Sequence, residues 1–429
     1  MADAIIKGHQ KLNGKVAAPP SKAYTHRALI AGLLSNGVSR ISNPLFSEDT
    51  DATLKAVTTL GAKIGSSENQ WTIQGIQQIE KPQAPIRCGE SGSTLRFLLP
   101  VAALASGPSV FTLGTSLSRR PLAPLLRSLE QLGVKSDFRT NQSPPVVEIC
   151  GGGIKGGKTT MAGDVSSQFV SGLLFGCSKA EADTDILLST PLESRDYVRM
   201  TIEVLNKHGV RMFAHENMTQ LKVFANQTYR PFDHDIPGDF SSAAFLLAAA
   251  AVTSSKLKIG NLNWKTGQGD QKILNILEKT RCKVKKAEES IEIEGNELFA
   301  TDVDARDTPD LVPVCASLAC YSQGISRIFN AGRLRLKESD RLSALQMELK
   351  KMGGKISIIE SGLAIEGPCK MRGATINPHG DHRIAMACAV AALAADGQTV
   401  IQNCECVSKS YPGFFDDLSL LGADVVVCR

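Results

Sequence analysis

Two kinds of apolar pattern alternate along the chain, and each predicts a different helix. The first begins with small polar residues and is then apolar on almost every side, which is typical of a buried helix. Its copies recur roughly every 70 residues, so they predict six structural repeats. The six copies are SKAYTHRALIAGLL from Ser21, SGSTLRFLLPVAAL from Ser91, SSQFVSGLLFGC from Ser166, SSAAFLLAAAAV from Ser241, TPDLVPVCASLA from Thr308 and DHRIAMACAVAAL from Asp381.

The second pattern is an amphipathic helix that ends at a glycine and leads into a short strand. A glycine just after a helix can adopt the left-handed backbone conformation that caps helix C-termini. The fifth copy, KTRCKV around Arg281, lacks the glycine. The other five copies are LGAKI at Leu60, LGVKS at Leu132, HGVRM at His208, MGGKI at Met352 and LGADV at Leu421.

Short alternating or β-branched runs between the helices predict strands, so each repeat is a βαβαββ-type unit. We therefore predict an α/β fold of two similar domains, each with three pseudo-symmetric units around buried inner helices. The stretch from Asn226 to Phe240 carries two prolines and a glycine, which favours a linker between the third and fourth units. The first strand, near Ile5 to Lys15, fits either half.

The composition excludes several classes of protein. Of 429 residues, 42% are apolar and 21% charged, as in globular proteins. A net charge of +5 is small for this length, and 5% aromatic residues provide no stacking surface for nucleic acid. Eleven cysteines without a C-x-x-C pair favour a reduced, cytoplasmic compartment. No secretory signal begins the sequence, and the longest apolar run is too short for a bilayer, so no membrane partner is expected.

Candidate chemistry lies where the buried helices begin. Ser21 is a predicted N-cap, so Lys22 and Arg27 lie close to a helix N-terminus, where free N–H groups favour anions. A phosphate site and a solvated cationic turn explain this motif equally well. The Gly/Ser cluster from Gly89 to Arg96 would let backbone approach a ligand, although such clusters are mostly turns.

Three further motifs place polar groups at predicted helix starts. Arg119 and Arg120 precede Pro121, which we expect to begin a helix. The two arginines could form a fork for a carboxylate or a phosphate, or simply lie on the surface. The other two motifs consist of Ser166, Ser167 and Gln168, and of Ser194 and Tyr197.

The segment from Leu336 to Arg341 is the most informative motif, because it packs Lys, Glu, Asp and Arg together near Asp310. A carboxylate among cations keeps its charge but can donate or accept a proton when a substrate enters. GDHR from Gly380 and VSKSYP from Val407 add further polar groups.

Two patterns imitate known sites. GGIKGGKT from Gly152 fits the P-loop pattern, but a strand and a turn follow where a helix is required, so we predict a glycine-rich hairpin. His379 and His382 are spaced like metal ligands, but no third ligand is evident and we expect no metal.

In their order along the chain, the motifs resemble those of the enolpyruvylshikimate-phosphate synthase family. The match runs through SKAYTHRA, SGSTLR, RRPL, SSQF, KESDR, GDHR and SKSYPGF and covers nearly the whole chain. It implies the enolpyruvyl transferase fold, with one domain at 18–236, the other at 1–17 plus 237–429, and the active site in the cleft between them. It also implies transfer of the enolpyruvyl group of phosphoenolpyruvate to the 5-hydroxyl of shikimate 3-phosphate, the sixth step of the shikimate pathway to aromatic amino acids.

The resemblance also assigns roles to residues. Asp310 resembles the base that takes the proton from the attacking hydroxyl, and Glu338 resembles the acid that protonates the methylene carbon, with help from Lys22. The implied phosphoenolpyruvate contacts are Lys22, Gly92, Arg120, Gln168, Arg341, Arg383 and Lys409. The implied shikimate 3-phosphate contacts are Lys22, Arg27, Ser166, Ser167, Gln168, Ser194, Tyr197, Asp310 and Lys337.

This reaction needs a proton donor, a base and cations, and no metal or organic cofactor. We therefore expect a monomer whose partners are the two small substrates, without nucleic acid, and Gly92 predicts inhibition by glyphosate. Three residues depart from the family pattern: Ala23 stands where a serine is usual, and Glu90 and Arg333 stand where asparagine is common.

Two other functions are weighed against this one. A UDP-N-acetylglucosamine enolpyruvyl transferase shares the architecture, but its loop cysteine is missing from the matching stretch, Thr112 to Pro121. A non-catalytic clamp of repeats could surround DNA through its lysines. Against the clamp, the net charge is low, and Asp310 and Glu338 would repel phosphates.

Overall fold

The computed structural model describes residues 2–428, whose strands form six four-stranded sheets. These residues divide into two compact units, one formed by Ser21–Ile236 and the other by residues 2–20 together with residues 237–428. Each unit has its own hydrophobic core.

In chain order the strands are β1 (Asp3–Lys7), β2 (Asn13–Ala17), β3 (Val38–Ser42), β4 (Lys63–Ser67), β5 (Gln70–Gln74), β6 (Ile86–Gly89), β7 (Ser109–Leu113), β8 (Ser136–Arg139), β9 (Val146–Ile149), β10 (Gly157–Met161), β11 (Thr184–Leu188), β12 (Met212–Ala214), β13 (Gln220–Val223), β14 (His234–Asp235), β15 (Lys256–Gly260), β16 (Lys283–Lys286), β17 (Ser290–Glu294), β18 (Val303–Asp304), β19 (Gly324–Phe329), β20 (Lys355–Ile359), β21 (Gly362–Gly367), β22 (Thr375–Ile376), β23 (Gln398–Ile401) and β24 (Val425–Cys428).

The α-helices are α1 (Lys22–Leu34), α2 (Glu48–Thr59), α3 (Gly92–Ala102), α4 (Thr115–Ser118), α5 (Ala123–Gln131), α6 (Ser167–Cys177), α7 (Arg195–Lys207), α8 (Phe240–Val252), α9 (Lys272–Lys279), α10 (Val312–Tyr321), α11 (Arg341–Lys351), α12 (His382–Ala392) and α13 (Phe414–Leu420). Short 3₁₀ turns lie at Gly269–Gln271, Pro309–Leu311, Gly332–Leu336 and Cys404–Lys409.

All six sheets share one pairing pattern, so the predicted six-fold repeat is confirmed. In each sheet an outer strand runs parallel to the second strand, and the third and fourth strands follow antiparallel. The sheets of the unit Ser21–Ile236 are β14-β3-β5-β4, β6-β7-β9-β8 and β10-β11-β13-β12. Those of the other unit are β2-β15-β17-β16, β18-β19-β21-β20 and β22-β23-β1-β24.

The inner helix of each repeat is buried, because its apolar residues continue around the helix. Every residue of α8 and of α12 is buried. In the unit Ser21–Ile236 the backbones of α3 and α6 are in close contact. A Cβ on Gly172 would lie only 2.2 Å from the Arg96 carbonyl oxygen, so a glycine is needed there. The predicted buried helices are therefore confirmed, and they place the helix N-termini of each unit near one another.

The predicted glycine caps are also confirmed. The second residue after the outer helix has a positive φ in five repeats, at Gly61, Gly133, Gly209, Gly353 and Gly422. In the remaining repeat Arg281 takes the same conformation, with φ of 70°. Its guanidinium lies 3.7 Å from the ring centroid of Phe299, a cation–π contact that offsets part of the strain of a left-handed arginine.

Three local predictions were wrong. Residues 152–156 connect β9 to β10, which belong to different sheets, so they form a link between repeats instead of a hairpin. The helix predicted at Pro121 begins at Ala123, and Pro124 is the proline of its first turn. The single strand predicted near Ile5 to Lys15 is two strands, β1 and β2, because the chain turns through His9 with φ of 57°.

Of the helices in residues 2–428, none combines the length and the apolar character that crossing a bilayer requires.

Candidate active site

The buried helices α1, α3 and α6 each begin after a serine N-cap. The hydroxyls of Ser21, Ser91 and Ser166 accept from the backbone N–H groups of Tyr24, Thr94 and Gln168 respectively. A serine cap satisfies one N–H of the first turn without adding charge, so the positive end of each helix can still attract an anion.

Lys22, the first residue of α1, forms an ion pair that the sequence analysis missed. Its Nζ lies 3.0 Å from Asp49 Oδ2, and both side chains are mostly buried. The Asp49 carbonyl oxygen also accepts from the hydroxyls of Ser91 and Thr94, at 3.4 Å each. Asp49 therefore ties the start of α1 to the start of α3.

Gly92, the first residue of α3, lies beside two arginines and an amide. A Cβ at this position would lie 3.5 Å from Nη1 of Arg120, 3.5 Å from Nη1 of Arg96 and 3.7 Å from Oε1 of Gln168. Arg96 Nη1 donates to Gln168 Oε1 at 2.7 Å. We call Lys22, Gly92, Arg96, Arg120 and Gln168 the anion cluster. Arg96 belongs to the SGSTLR motif, but its part in the site was not predicted.

Arg27, a predicted shikimate 3-phosphate contact, is almost completely buried beside α7. Only 2% of the residue is exposed, and it donates at 2.8 Å to Thr201 Oγ1 and to the carbonyl oxygens of Ala23 and Tyr197. Burial lowers the pKa of Arg27 to about 10, against the raising effect of Tyr197 and other neighbours. Arg27 therefore holds α1 against α7.

The predicted hydroxyl and amide groups lie at two helix starts. Gln168 donates from Nε2 to Ser93 Oγ at 2.9 Å, which fixes the orientation of its amide beside Gly92. Ser167 and Ser194 are buried, and Ser194 precedes α7 with φ of 54°. Tyr197 lies on the first turn of α7, with its ring 6.0 Å from the Arg27 guanidinium carbon.

In the other unit, one buried arginine gathers three carboxylates. Arg341 is 1% exposed and donates from Nη1 to Asp310 Oδ1 at 2.9 Å, from Nη2 to Glu338 Oε2 at 2.7 Å and from Nε to Asp381 Oδ2 at 2.8 Å. Asp381 is also the N-cap of α12 and accepts from the Arg383 N–H at 3.0 Å. We call Asp310, Glu338, Arg341, Asp381 and Arg383 the carboxylate cluster. Asp381 belongs to the GDHR motif, and no role was predicted for it.

Asp310 is the centre of this cluster. Its Oδ2 lies 3.3 Å from Arg383 Nη2, and its Oδ1 lies 3.8 Å from Lys337 Nζ. Burial raises the pKa of Asp310, but Arg383, Lys337 and Arg341 together lower it well below the usual range. Asp310 is therefore a carboxylate at neutral pH and can accept a proton only if this cationic field is weakened.

Two neighbouring groups titrate closer to neutrality. Burial lowers the pKa of Lys337 to about 8, although Asp310 raises it. Asp270, in the turn before α9, is 3% exposed, and burial together with Asp310 raises its pKa to about 7. Asp270 was not predicted, because nothing in its local sequence indicates burial beside a second carboxylate.

The remaining predicted residues lie near these clusters. Lys409 Nζ donates to the Gly380 carbonyl oxygen at 3.1 Å, next to Asp381. Of the departures from the family pattern, Arg333 donates to the carbonyl oxygen of Arg306. Glu90 accepts from the N–H groups of Ser116 and Leu117, at 3.1 and 2.7 Å.

His379 and His382 occupy separate environments. His379 Nε2 lies 3.0 Å from Glu348 Oε1, while His382 is buried as the first residue of α12. Among residues 2–428, no three His, Cys, Asp or Glu side chains come together in a way that could hold a metal ion.

Comparison with known proteins identifies the family. The family described as EPSP synthase (3-phosphoshikimate 1-carboxyvinyltransferase) matches residues 6–418. The chain belongs to the EPSP synthase family. The family reaction is the transfer of a carboxyvinyl group to 3-phosphoshikimate, so the resemblance found in the sequence is confirmed together with the predicted reaction.

Similar proteins support this family membership over the full length of the chain. The 3-phosphoshikimate 1-carboxyvinyltransferase of Methanocella arvoryzae is 45% identical over 421 residues, which is 96% of this chain and 97% of that protein. The one from Methanocaldococcus jannaschii is 39% identical over 428 residues, 99% of each chain. The solved EPSP synthase structure from Acinetobacter baumannii has a TM-score of 0.81 at 26% identity and covers 100% of both chains. The predicted enolpyruvyl transferase fold is therefore confirmed.

Proposed function

We propose that this chain transfers the carboxyvinyl group of phosphoenolpyruvate to the 5-hydroxyl of shikimate 3-phosphate through the anion cluster and the carboxylate cluster acting on one pair of substrates. One observation carries the assignment of roles. Arg341 pairs with both Asp310 and Glu338, at 2.9 and 2.7 Å, and so holds a potential base and a potential acid on one guanidinium. Binding phosphate alone would require only the cations. That the active site lies in a cleft between two domains stays a prediction.

Addition is the first chemical step in this proposal. In this step Glu338 acts in its protonated form. It gives its proton to C3 of phosphoenolpyruvate, which makes C2 electrophilic and leaves Glu338 as a carboxylate. The 5-hydroxyl of shikimate 3-phosphate then forms a C–O bond to C2, and its proton passes to Asp310. The product is a tetrahedral intermediate that still carries the phosphate.

Elimination restores both carboxyl groups. The Glu338 carboxylate takes a proton back from the methyl carbon, the C2–O bond to phosphate breaks, and a new C=C bond forms. The proton that Asp310 received leaves with the phosphate. Every proton transfer is balanced by these two side chains, so the proposed reaction includes no cofactor.

The electrostatics of Asp310 couple this chemistry to substrate binding. In the protein alone, Arg383, Lys337 and Arg341 keep the pKa of Asp310 well below its usual range, after burial has raised it. Anionic substrates that bind these cations oppose their field, so the basicity of Asp310 rises when both substrates are present.

Substrate contacts are assigned as the resemblance implies. Phosphoenolpyruvate is held by the anion cluster other than Arg96, together with Lys409 and the cations of the carboxylate cluster. Shikimate 3-phosphate is held by residues of both clusters and by polar groups near α6 and α7. The residues proposed for phosphoenolpyruvate are Lys22, Gly92, Arg120, Gln168, Arg341, Arg383 and Lys409. Those proposed for shikimate 3-phosphate are Lys22, Arg27, Ser166, Ser167, Gln168, Ser194, Tyr197, Asp310 and Lys337.

Phosphate release tests this proposal. Purified protein is incubated with phosphoenolpyruvate and either shikimate 3-phosphate or UDP-N-acetylglucosamine, and free phosphate is measured. We expect release only with shikimate 3-phosphate. Release only with the UDP-sugar would assign the other acceptor, and release with neither would contradict the proposed activity.

The same assay tests one finer proposal, and two others have measurements of their own. We propose that glyphosate inhibits the reaction, because Gly92 leaves an open position between Arg96 and Arg120. Full activity at about millimolar glyphosate, the weak end of usual KM values, would contradict this. We also propose a cytoplasmic monomer that acts on its two small substrates without nucleic acid. Analytical ultracentrifugation at the assay concentration tests the monomer, and salt-dependent DNA binding would contradict the exclusion of nucleic acid.

A further inference from the structure

Helix α4 is capped by the side chain of the residue that directly follows strand β6. Its N-cap residue is Gly114, which has no side chain to offer. Glu90 takes this role, because Oε1 accepts from the Ser116 N–H at 3.1 Å and Oε2 accepts from the Leu117 N–H at 2.7 Å. Both oxygens of one carboxylate thus satisfy N–H groups that a helix N-terminus leaves without partners.

Parallel strand pairing brings Glu90 to α4. Strands β6 and β7 run parallel, so the residues that follow them meet at one edge of the sheet. The Gly114 N–H donates to the Gly89 carbonyl oxygen at 2.7 Å, which fixes the two chain segments. A Cβ on Gly114 would lie 2.2 Å from Glu90 Oε1, so only glycine leaves the carboxylate its place.

Leu117 connects Glu90 to Arg120, because its N–H binds Glu90 and its carbonyl oxygen binds the backbone of Arg120. The Leu117 carbonyl oxygen accepts from the Arg120 N–H at 3.1 Å, and Leu117 is 2% exposed, so it anchors α4 to the core. Arg120 itself is 9% exposed, and its Nη1 lies 3.5 Å from the position of a Cβ on Gly92. A short path of hydrogen bonds therefore runs from Glu90 through α4 to a cation of the anion cluster.

We propose that Glu90 is a positioning residue for phosphoenolpyruvate: by capping α4 it holds Arg120 at the anion cluster. The proposal rests on the function proposed above. Glu90 touches neither substrate in this account and acts through Leu117 and Arg120. The same two hydrogen bonds explain why the Glu90 carboxylate is tolerated beside a site for an anion. Both of its oxygens are directed at backbone N–H groups.

Removing the charge of Glu90 should change phosphoenolpyruvate binding in opposite directions under two explanations, one based on charge and one on positioning. Glu90→Gln removes a negative charge from the neighbourhood of Arg120, and if charge alone mattered, phosphoenolpyruvate would bind more tightly. The amide also has one acceptor oxygen in place of two, so the cap of α4 is weakened. If positioning decides, binding is weaker in spite of the more favourable charge.

The experiment measures kcat and both KM values of the full chain by phosphate release. For Glu90→Gln we expect KM for phosphoenolpyruvate to rise about threefold to tenfold, the range of a lost helix cap. Glu90→Ala, which keeps neither oxygen, should raise this KM further, while KM for shikimate 3-phosphate and the melting temperature stay near the wild-type values. Asp183→Asn is the matched control, because Asp183 also accepts a backbone N–H, from Ala225 at 3.0 Å, at an exposed position.

Three outcomes would overturn the proposal. They are an unchanged or lower KM for phosphoenolpyruvate in Glu90→Gln, an equal rise of both KM values, and the same change in the Asp183→Asn control. In each of these the wild-type chain is still active, so the proposed function survives. A wild-type chain that releases no phosphate would instead overturn the proposed function and, with it, the role of Glu90.

Discussion

The buried helices of the two units begin with different chemistry, although the units share one arrangement of strands and helices. In the unit Ser21–Ile236 the three inner helices are capped by serines. In the other unit α8 and α12 are capped by Asp239 and Asp381, and Asp310 lies in the turn that leads into α10. A hydroxyl and a carboxylate both satisfy a helix N-terminus, so the fold tolerates either choice.

This difference separates two tasks. Serine caps leave the charge of the anion cluster positive, which suits the binding of phosphate and carboxylate groups. In the other unit Asp310 and the cap Asp381 lie beside Arg341 and Arg383, which suits the movement of protons. We therefore expect substitutions in the anion cluster to change KM, substitutions of Asp310 and Glu338 to change kcat, and loss of Arg341 to change stability.

The largest effect is expected for Asp310→Asn. The amide cannot accept the hydroxyl proton, so kcat should fall about 10²- to 10⁴-fold, the usual contribution of a general base. Steady-state kinetics measure kcat, and calorimetry checks that shikimate 3-phosphate still binds. A kcat within about threefold of the wild type would remove the proposed base and break the division of tasks.

The next effect concerns stability. Arg341→Met leaves the buried carboxylates around it without their cation, which costs about 3–5 kcal/mol for a broken buried ion pair. Arg27→Met removes hydrogen bonds to neutral acceptors only, at about 1–3 kcal/mol.

Thermal melting compares the two arginine variants. The comparison of the two units predicts a larger drop in melting temperature for Arg341→Met than for Arg27→Met. Equal drops, or a larger drop for Arg27→Met, would mean that charge pairing contributes no more than neutral hydrogen bonds.

A change of the α6 cap tests the role of the neutral serine caps. Ser166→Asp keeps an N-cap acceptor on α6 but adds a negative charge where we place the phosphate of the acceptor substrate. KM for shikimate 3-phosphate should rise about tenfold to a hundredfold, because like charges repel. Ser166→Asn, a neutral cap of similar size, is the control and should change KM little. The same KM for both variants would show that charge at this cap is irrelevant.

The last effect depends on pH. Burial and Asp310 raise the pKa of Asp270 from 3.8 to about 7 in the folded protein. Between these values the folded state holds a proton that the unfolded state has lost, so the contribution of Asp270 to stability decreases as pH rises from about 4 to 7. Asp270→Asn has no proton to lose. It should melt at a higher temperature than the wild type at pH 8 and at nearly the same temperature at pH 4, and an equal difference at both pH values would contradict this.

The repeat architecture was predictable because nearly every repeat contains the same local sequence patterns. Small polar residues before an apolar run predict a capped, buried helix, and a glycine after an amphipathic run predicts its end. Arg281 shows the limit of this method. It takes the left-handed conformation through a contact with Phe299, eighteen residues further along the chain, and no local signal marks that contact.

The sequence predicted the separate motifs of the site, but it did not predict most of the contacts between their side chains. Lys22 and Asp49 are 27 residues apart, as are Glu90 and Leu117, and each pair lies on different elements. Whether a carboxylate near a cation pairs with it depends on strand order and helix packing, which local patterns do not encode. For the same reason the glycines after β9 suggested a hairpin, whereas they lead into another sheet.

The strand β1 joins distant parts of the sequence, since Ala4 pairs with Ile401 on one side and Val427 on the other. On the ribosome, Asp3–Lys7 emerges long before either neighbour has been synthesised. The segment Ser21–Ile236 contains all the strands of its own three sheets and can fold as soon as it is outside the exit tunnel. We therefore expect the anion cluster to form during translation and the carboxylate cluster to form only at its end.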